Sequence, residues 1–148
     1  MPINTPKLKP RILLIEDEIG RTNIFRSWLD GTEFVLAVAR SGGQALGMLI
    51  RGGTEAIAGV LLDHDLSDSP LVESDLALST SNVLPLIMRN VSRTAPVLIH
   101  SHNVSKPIVM QRALESNGFS VTRIRFYELE YETFLIWLDE VRDNYNPR

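Results

Sequence analysis

The segment Arg11-Ile12-Leu13-Leu14-Ile15 sets four apolar residues in unbroken succession, and that run constrains the fold more than any other feature. A strand with one wet face alternates apolar and polar residues; a continuous run fits a strand buried on both faces of a parallel sheet. Three more runs read the same way. Residues 34–39 are apolar and β-branched, residues 57–62 are apolar and end against a cluster of carboxylates, and Pro96-Val97-Leu98-Ile99 opens with a proline suited to a strand start. A fifth stretch, residues 119–126, alternates Val121, Arg123 and Arg125 against Thr122, Ile124 and Phe126, the pattern of an edge strand with one wet face.

Helical spacing fills the intervals. Ile24, Phe25, Trp28 and Leu29 fall on one helical face, which Asp30-Gly31 ends. Ser41 suits the N-cap of a helix carrying Ala45, Leu46, Leu49 and Ile50, closed by Gly52-Gly53. Val83, Leu84, Ile87 and Met88 mark a third helix, capped by Ser79 or Ser81, with Pro85 restricting where it begins. Ser105 and Pro107 open a fourth and Asn117-Gly118 closes it; the last runs from about Glu130 through Phe134, Leu135, Leu138 and Val141.

Five strands alternating with five helices imply an α/β fold, a doubly wound parallel sheet covered on both faces and built by right-handed crossovers. A chain of 148 residues holds one such domain, assigned to residues 11–148. Residues 1–10, with Pro2, Pro6 and Pro10 around Lys7 and Lys9, read as an extended arm. Ligands of these sheets sit beyond the carboxyl ends of the strands, near the switch in strand order.

Composition removes several chemistries. The chain has no cysteine, hence no disulfide, thiolate metal site or thiol nucleophile. No apolar stretch approaches the length of a membrane span, and the first residues lack the apolar core of a secretory signal, so a cytoplasmic protein is expected. A net charge of −3 argues against bulk nucleic acid as a partner.

The strand ends carry the chemistry. Glu16-Asp17-Glu18 follows the first strand and Asp63-His64-Asp65 the third. In the common 2-1-3-4-5 order those strands are neighbours, so Glu16, Asp17 and Asp63 crowd one crevice. Carboxylates at short range repel and raise one another's pKa. A hard divalent cation relieves that, and Mg²⁺ prefers a few carboxylates plus water and phosphate oxygens. The alternative is that the acids cap turns or pair with surface lysines. The fourth strand adds His100-Ser101-His102-Asn103, whose serine hydroxyl suits a phosphoryl oxygen. All three histidines thus follow the two central strands, although strand alternation sends His100 and Ser101 to opposite faces.

Glu16-Asp17, Asp63-His64-Asp65-Leu66 and Ser101 resemble the signature of the receiver domains of bacterial response regulators, over nearly the whole chain from Arg11. The resemblance implies a flavodoxin-like three-layer sandwich of order 2-1-3-4-5, with Asp63 as the phosphoacceptor position. It also places Glu16, Asp17, Asp63 and the backbone of Asp65 around Mg²⁺ (or Mn²⁺). The chain departs from that family at the end of the fifth strand, where receivers carry a lysine and this chain reads Thr122-Arg123-Ile124-Arg125-Phe126-Tyr127. Arg125 is the candidate to supply the charge, although arginine and lysine are not interchangeable at a compact phosphoryl site. Lys106-Pro107 lies near the start of the fourth helix and is not that lysine. The segment from Ser67 to Ser79 is also longer and more polar than the usual receiver loop.

Leu62-Asp63-His64-Asp65-Leu66 and His100-Ser101-His102-Asn103, with Ser74-Asp75, Met110 and Arg21, are similar to a divergent branch, the cyclic-phosphate processing receiver-like domains. Ser67 stands where that group usually has glycine, and Ser79-Thr80 where it tends to show Thr-Gly. The likeness implies a metal-dependent phosphoesterase that opens a cyclic phosphate, RNA-end or nucleotide-derived. Such a reaction needs an in-line nucleophile, charge neutralisation and a proton for the leaving alkoxide. Asp63 attacks or positions a water, His64 or His102 supplies the proton, and Ser101 and Asn103 orient the phosphate. Arg21, Arg125 and His100 complete the candidate substrate contacts.

Two other readings stay open. One is a stand-alone receiver taking a phosphoryl group on Asp63 from a phosphodonor and, with no output domain after Arg148, signalling through a partner protein. The other is a degenerate receiver that only binds partners.

Overall fold

The computed structural model describes residues 9–50, 57–63, 80–101 and 107–145. His64, Asp65, His102 and Asn103, the cap candidates Ser79 and Ser105, the arm before residue 9 and the polar segment from Ser67 to Ser79 lie outside them.

The elements run β1 (Arg11–Ile15), α1 (Ile19–Leu29), β2 (Val35–Ala39), α2 (Gly42–Ile50), β3 (Ile57–Asp63), α3 (Thr80–Asn90), β4 (Val97–Ser101), α4 (Pro107–Ser116), β5 (Val121–Arg125) and α5 (Tyr131–Tyr145). A short 3-10 turn, Phe126–Glu128, joins β5 to α5. All strand pairs are parallel, in the order β2-β1-β3-β4-β5. The central strands β3 and β4 are buried along their whole length, as continuous apolar runs require. Among the described residues no helix is long and apolar enough to cross a membrane.

Strand alternation sorts the core into two clusters. Leu13, Ile15, Leu62 and Ile99 meet Leu49 of α2, Ile87 of α3 and Leu114 of α4 on one face. Ile12, Leu14, Leu61 and Leu98 meet Phe25 of α1 and Phe134, Trp137 and Leu138 of α5 on the other. Each such side chain, fully removed from water, contributes about 1.5–3 kcal/mol before conformational entropy is set against it.

Among the described residues, local signals fall where the sequence places them, with one difference; Gly52-Gly53 lies outside those residues. Gly31 and Gly118, at the ends of α1 and α4, have φ of 82° and 92°, the left-handed region where a side chain is strained. The Ser41 hydroxyl accepts from the Gln44 N–H at 3.1 Å at the start of α2. Pro85, which follows both cap candidates in the sequence, lies inside α3, just past its first turn, and the helix starts at Thr80. The N–H it lacks would serve a carbonyl of the first turn, so the helix forgoes one hydrogen bond near its end and not two in its middle. The difference is the fifth strand, shorter than residues 119–126, because Phe126 enters the 3-10 turn.

In β3 the pairing with β1 slips, Arg11 facing Ile57 and Ile12 facing Gly59. A Cβ built on Gly59 would lie 3.0 Å from both Trp137 Cη2 and Val141 Cγ2. The close approach of α5 at this point therefore needs glycine, and it lets the helix press directly on the strand that carries Asp63.

Candidate acidic site at the strand ends

Leu14, Leu61 and Leu98 stand side by side across β1, β3 and β4, all fully buried. One pleat further, on the same face, come Glu16, Asp63 and His100, exposed by only 0%, 0% and 1%. Asp63 and His100 are register partners, and the Glu16 N–H extends the β1–β2 ladder to the Ala39 carbonyl at 2.9 Å. The site is thus a polar row stacked on an apolar one. Ligand atoms of Glu16, Asp63 and His100 all lie within 4.8 Å of one another.

Buried charge needs compensation, and two groups supply it. Arg21, on the first turn of α1, donates from Nε to Glu16 Oε1 at 2.9 Å and from Nη2 to Glu16 Oε2 at 3.0 Å. The same Nη2 is 3.7 Å from Asp63 Oδ2. His100 Nε2 shares a 2.8 Å hydrogen bond with Glu16 Oε1, and its ring packs against Phe25 and Phe126. The Arg21 guanidinium also lies over the Phe126 ring, 5.6 Å from its centroid.

Local chemistry puts Arg21 there. Glu18 caps α1, its carboxylate accepting from the Arg21 N–H at 2.6 Å, while its own N–H donates to Glu16 Oε2 at 3.1 Å. The cap turns the chain sharply after β1 and presents Arg21 to the strand end just left behind.

Burial works to raise the pKa of Glu16, but hydrogen bonds with His100, Arg21 and Asp63 outweigh it and hold the carboxyl far below its usual range. Burial works to lower the pKa of Arg21, and the hydrogen bond and charge of Glu16, with that of Asp63, raise it instead, so the guanidinium stays charged. Asp17 goes the other way: burial, then the charge of Glu16, pushes its carboxyl up.

Of the carboxylates expected to crowd one crevice, Glu16 and Asp63 do lie together, with the Arg21 guanidinium between them, while Asp17 follows Glu16 in the chain. A divalent cation still suits the donor set. The Asp17 Oδ2 is buried with no hydrogen-bond partner, and oxygen donors of this kind are what Mg²⁺ takes. Glu16 and Asp63, whose oxygens lie within 4.8 Å of each other, are the carboxylates placed to hold it, Glu16 by giving up one of its protein donors.

The other candidates are dispersed. Ser101 ends β4, buried, and belongs by alternation to the face opposite His100. Arg125, its register partner, donates from Nη1 to the Tyr127 hydroxyl at 2.6 Å and pairs with Glu128 at 3.7 Å. The positive charge recorded against the acids is that of Arg21. Sequence reasoning gathered Glu16, Asp17 and Asp63 but missed that His100 and Arg21 both bind Glu16. The first signal was the shared parity of Leu98 and His100; the second was the placing of Arg21 within one helical turn of the cap.

No family model and no curated protein matches the sequence. Solved structures do match the fold. The signal receiver domain of a Vibrio parahaemolyticus protein is similar at a TM-score of 0.68 and 17% identity, over 93% of this chain and 93% of that one. A chemotaxis protein from Vibrio cholerae is similar at 0.64 and 16% identity, over 90% of this chain and 99% of that one. A response regulator receiver domain protein from Methanospirillum hungatei is similar at 0.66 and 14% identity, over 94% and 98%. The chain has the receiver fold.

Proposed function

We propose that this chain is a receiver-type phosphoacceptor domain, in which Asp63 takes a phosphoryl group from a phosphodonor and the change passes to a partner protein. One observation carries the reading: Asp63 is a wholly buried carboxylate at the end of the central strand of a receiver fold, within 4.8 Å of the ligand atoms of Glu16 and His100. A carboxylate left there without a task would be a net cost to folding.

In the proposed step an Asp63 carboxylate oxygen attacks the phosphorus of the donor. The new P–O bond forms as the bond to the donor's leaving group breaks, and an acyl phosphate results. Glu16, Asp17 and Asp63 would hold Mg²⁺ or Mn²⁺, with the Asp65 backbone as the further ligand that the resemblance implies. When bound, the cation would neutralise charge on the phosphoryl oxygens. Ser101, on the far face of the sheet from His100, would have to reach one of those oxygens across the end of β4, and Arg125, bonded to Tyr127, ends β5.

The test is incubation with acetyl phosphate and Mg²⁺, followed by intact-mass measurement. One added phosphoryl group, absent from Asp63→Asn, is expected; an unmodified wild-type protein after saturating donor would sink the reading.

A second reading is favoured by one feature, the two nitrogen-bearing side chains, Arg21 and His100, set on Glu16 beside Asp63. Cationic and hydrogen-bonding groups in that position suit an anionic substrate held next to a nucleophile, and the cyclic-phosphate likeness points the same way. There Asp63, or a water it positions, attacks phosphorus, a ring P–O bond breaks, and His64 or His102 gives the alkoxide its proton. Ser101 and Asn103 would orient the phosphate, with Arg21 and His100 beside it. Ring opening of a 2′,3′- or 1″,2″-cyclic phosphate with Mg²⁺ or Mn²⁺, lost in Asp63→Asn, is its expected signature. No turnover across such a panel would dismiss it.

A further inference from the structure

Arg21 stands where an entering cation has to go. Its fork covers both oxygens of Glu16 at 2.9 and 3.0 Å, and its Nη2 reaches to 3.7 Å from Asp63 Oδ2. Its side chain is only 12% exposed, enclosed by those acids and by the Phe126 ring. The Asp63 contact is longer than a hydrogen bond, a charge contact that can be given up without breaking a directional link.

Two cations cannot share these carboxylates cheaply. A divalent ion on Asp63 would sit within a few ångströms of the guanidinium, in surroundings too dry to screen the repulsion. The guanidinium, unlike an imidazole or an amine, has no neutral form to retreat to. It must therefore hold the acids or yield them.

We infer that Arg21 is a built-in counter-ion of the crevice, which competes with a divalent cation for Asp63 and Glu16 and is displaced when that cation binds. The inference rests on the reading that the crevice takes a divalent cation, and it makes Arg21 a positioning and specificity residue. In the absence of metal Arg21 keeps the acids from repelling one another; with metal present its fork is released. Because coupling is reciprocal, whatever draws Arg21 away raises metal affinity by the same factor.

The experiment is Mn²⁺ binding followed by electron paramagnetic resonance on the full chain, wild type against Arg21→Gln and Arg21→Lys. Arg21→Gln is expected to bind Mn²⁺ about ten- to a hundredfold more tightly, and Arg21→Lys to fall between the two. Removing the partner of a buried acid can unfold the variant, so a wild-type readout stands beside it. The Arg21 Nε–H resonance is expected to be protected from solvent exchange in chelator and to lose that protection as Mg²⁺ is added. Equal or weaker binding by a folded Arg21→Gln, or an Nε–H signal unmoved at saturating Mg²⁺, overturns the inference while leaving metal binding in place. Absence of ion binding by every protein overturns the inference together with the metal site it rests on.

Discussion

His100 and Glu16, 84 positions apart, meet through one 2.8 Å hydrogen bond in the interior, and Arg21 clasps the same carboxylate from the other side. Glu16 is thereby the keystone of the strand-end row: three elements, β1, α1 and β4, are tied at one side chain.

Removing the charge of Glu16 leaves a guanidinium enclosed with half its partnership gone. Glu16→Gln is expected to destabilise the fold by about 3 kcal/mol, the range seen when one member of a buried ion pair is lost. Urea denaturation in chelator measures it, and a loss below about 1 kcal/mol would mean that the pair is solvated in solution.

The same residue sets an acid limit. The folded pKa of Glu16 lies below its ordinary 4.5, so its stabilisation is complete above that pH. It is lost as pH falls from 4.5 towards the folded value. Asp17, whose folded pKa is raised above 3.8, opposes this, its contribution present below 3.8 and lost as pH rises through the folded value. Asp17 is half-exposed, so its effect is the smaller. Unfolding free energy measured in chelator is expected to drop between pH 4.5 and lower values in wild type, and to fall less steeply in Glu16→Gln. Parallel curves would contradict the assignment.

Asp63→Asn removes one of two adjoining buried acids and keeps the side chain's shape. The variant is expected to fold with stability equal to or above that of wild type, while incorporating no phosphoryl group from acetyl phosphate. A phosphorylated Asp63→Asn would move the acceptor to another residue.

Gly59→Ala tests the seat of α5. The added methyl meets Trp137 and Val141 at 3.0 Å, both on a helix anchored in the core, so neither can simply swing aside. A loss of about 1–3 kcal/mol is expected by thermal unfolding. An unchanged melting temperature would show that the helix shifts freely.

Much of this fold is legible in the sequence because its strands are buried on both faces. Ile12–Ile15 and residues 57–62 can be nothing but interior, and helical spacing between them leaves few topologies. The acids after β1 and β3 follow from strand order. Arg21 and His100 were harder to place, since their roles depend on one carboxylate that each reaches from a different element. Glu18 as an N-cap is an uncommon choice, and without it the position of Arg21 cannot be read. Pro85 was no obstacle, since packing of Val83, Leu84 and Ile87 carries the helix through it.

The leucine row beneath the polar one has a kinetic meaning. Leu14, Leu61 and Leu98 close the sheet side beneath Asp63 among the described residues, and the Arg21 guanidinium lies 3.7 Å from its Oδ2. For the proposed function, the order in which an ion and a donor reach Asp63 past that guanidinium would then count as much as their affinities.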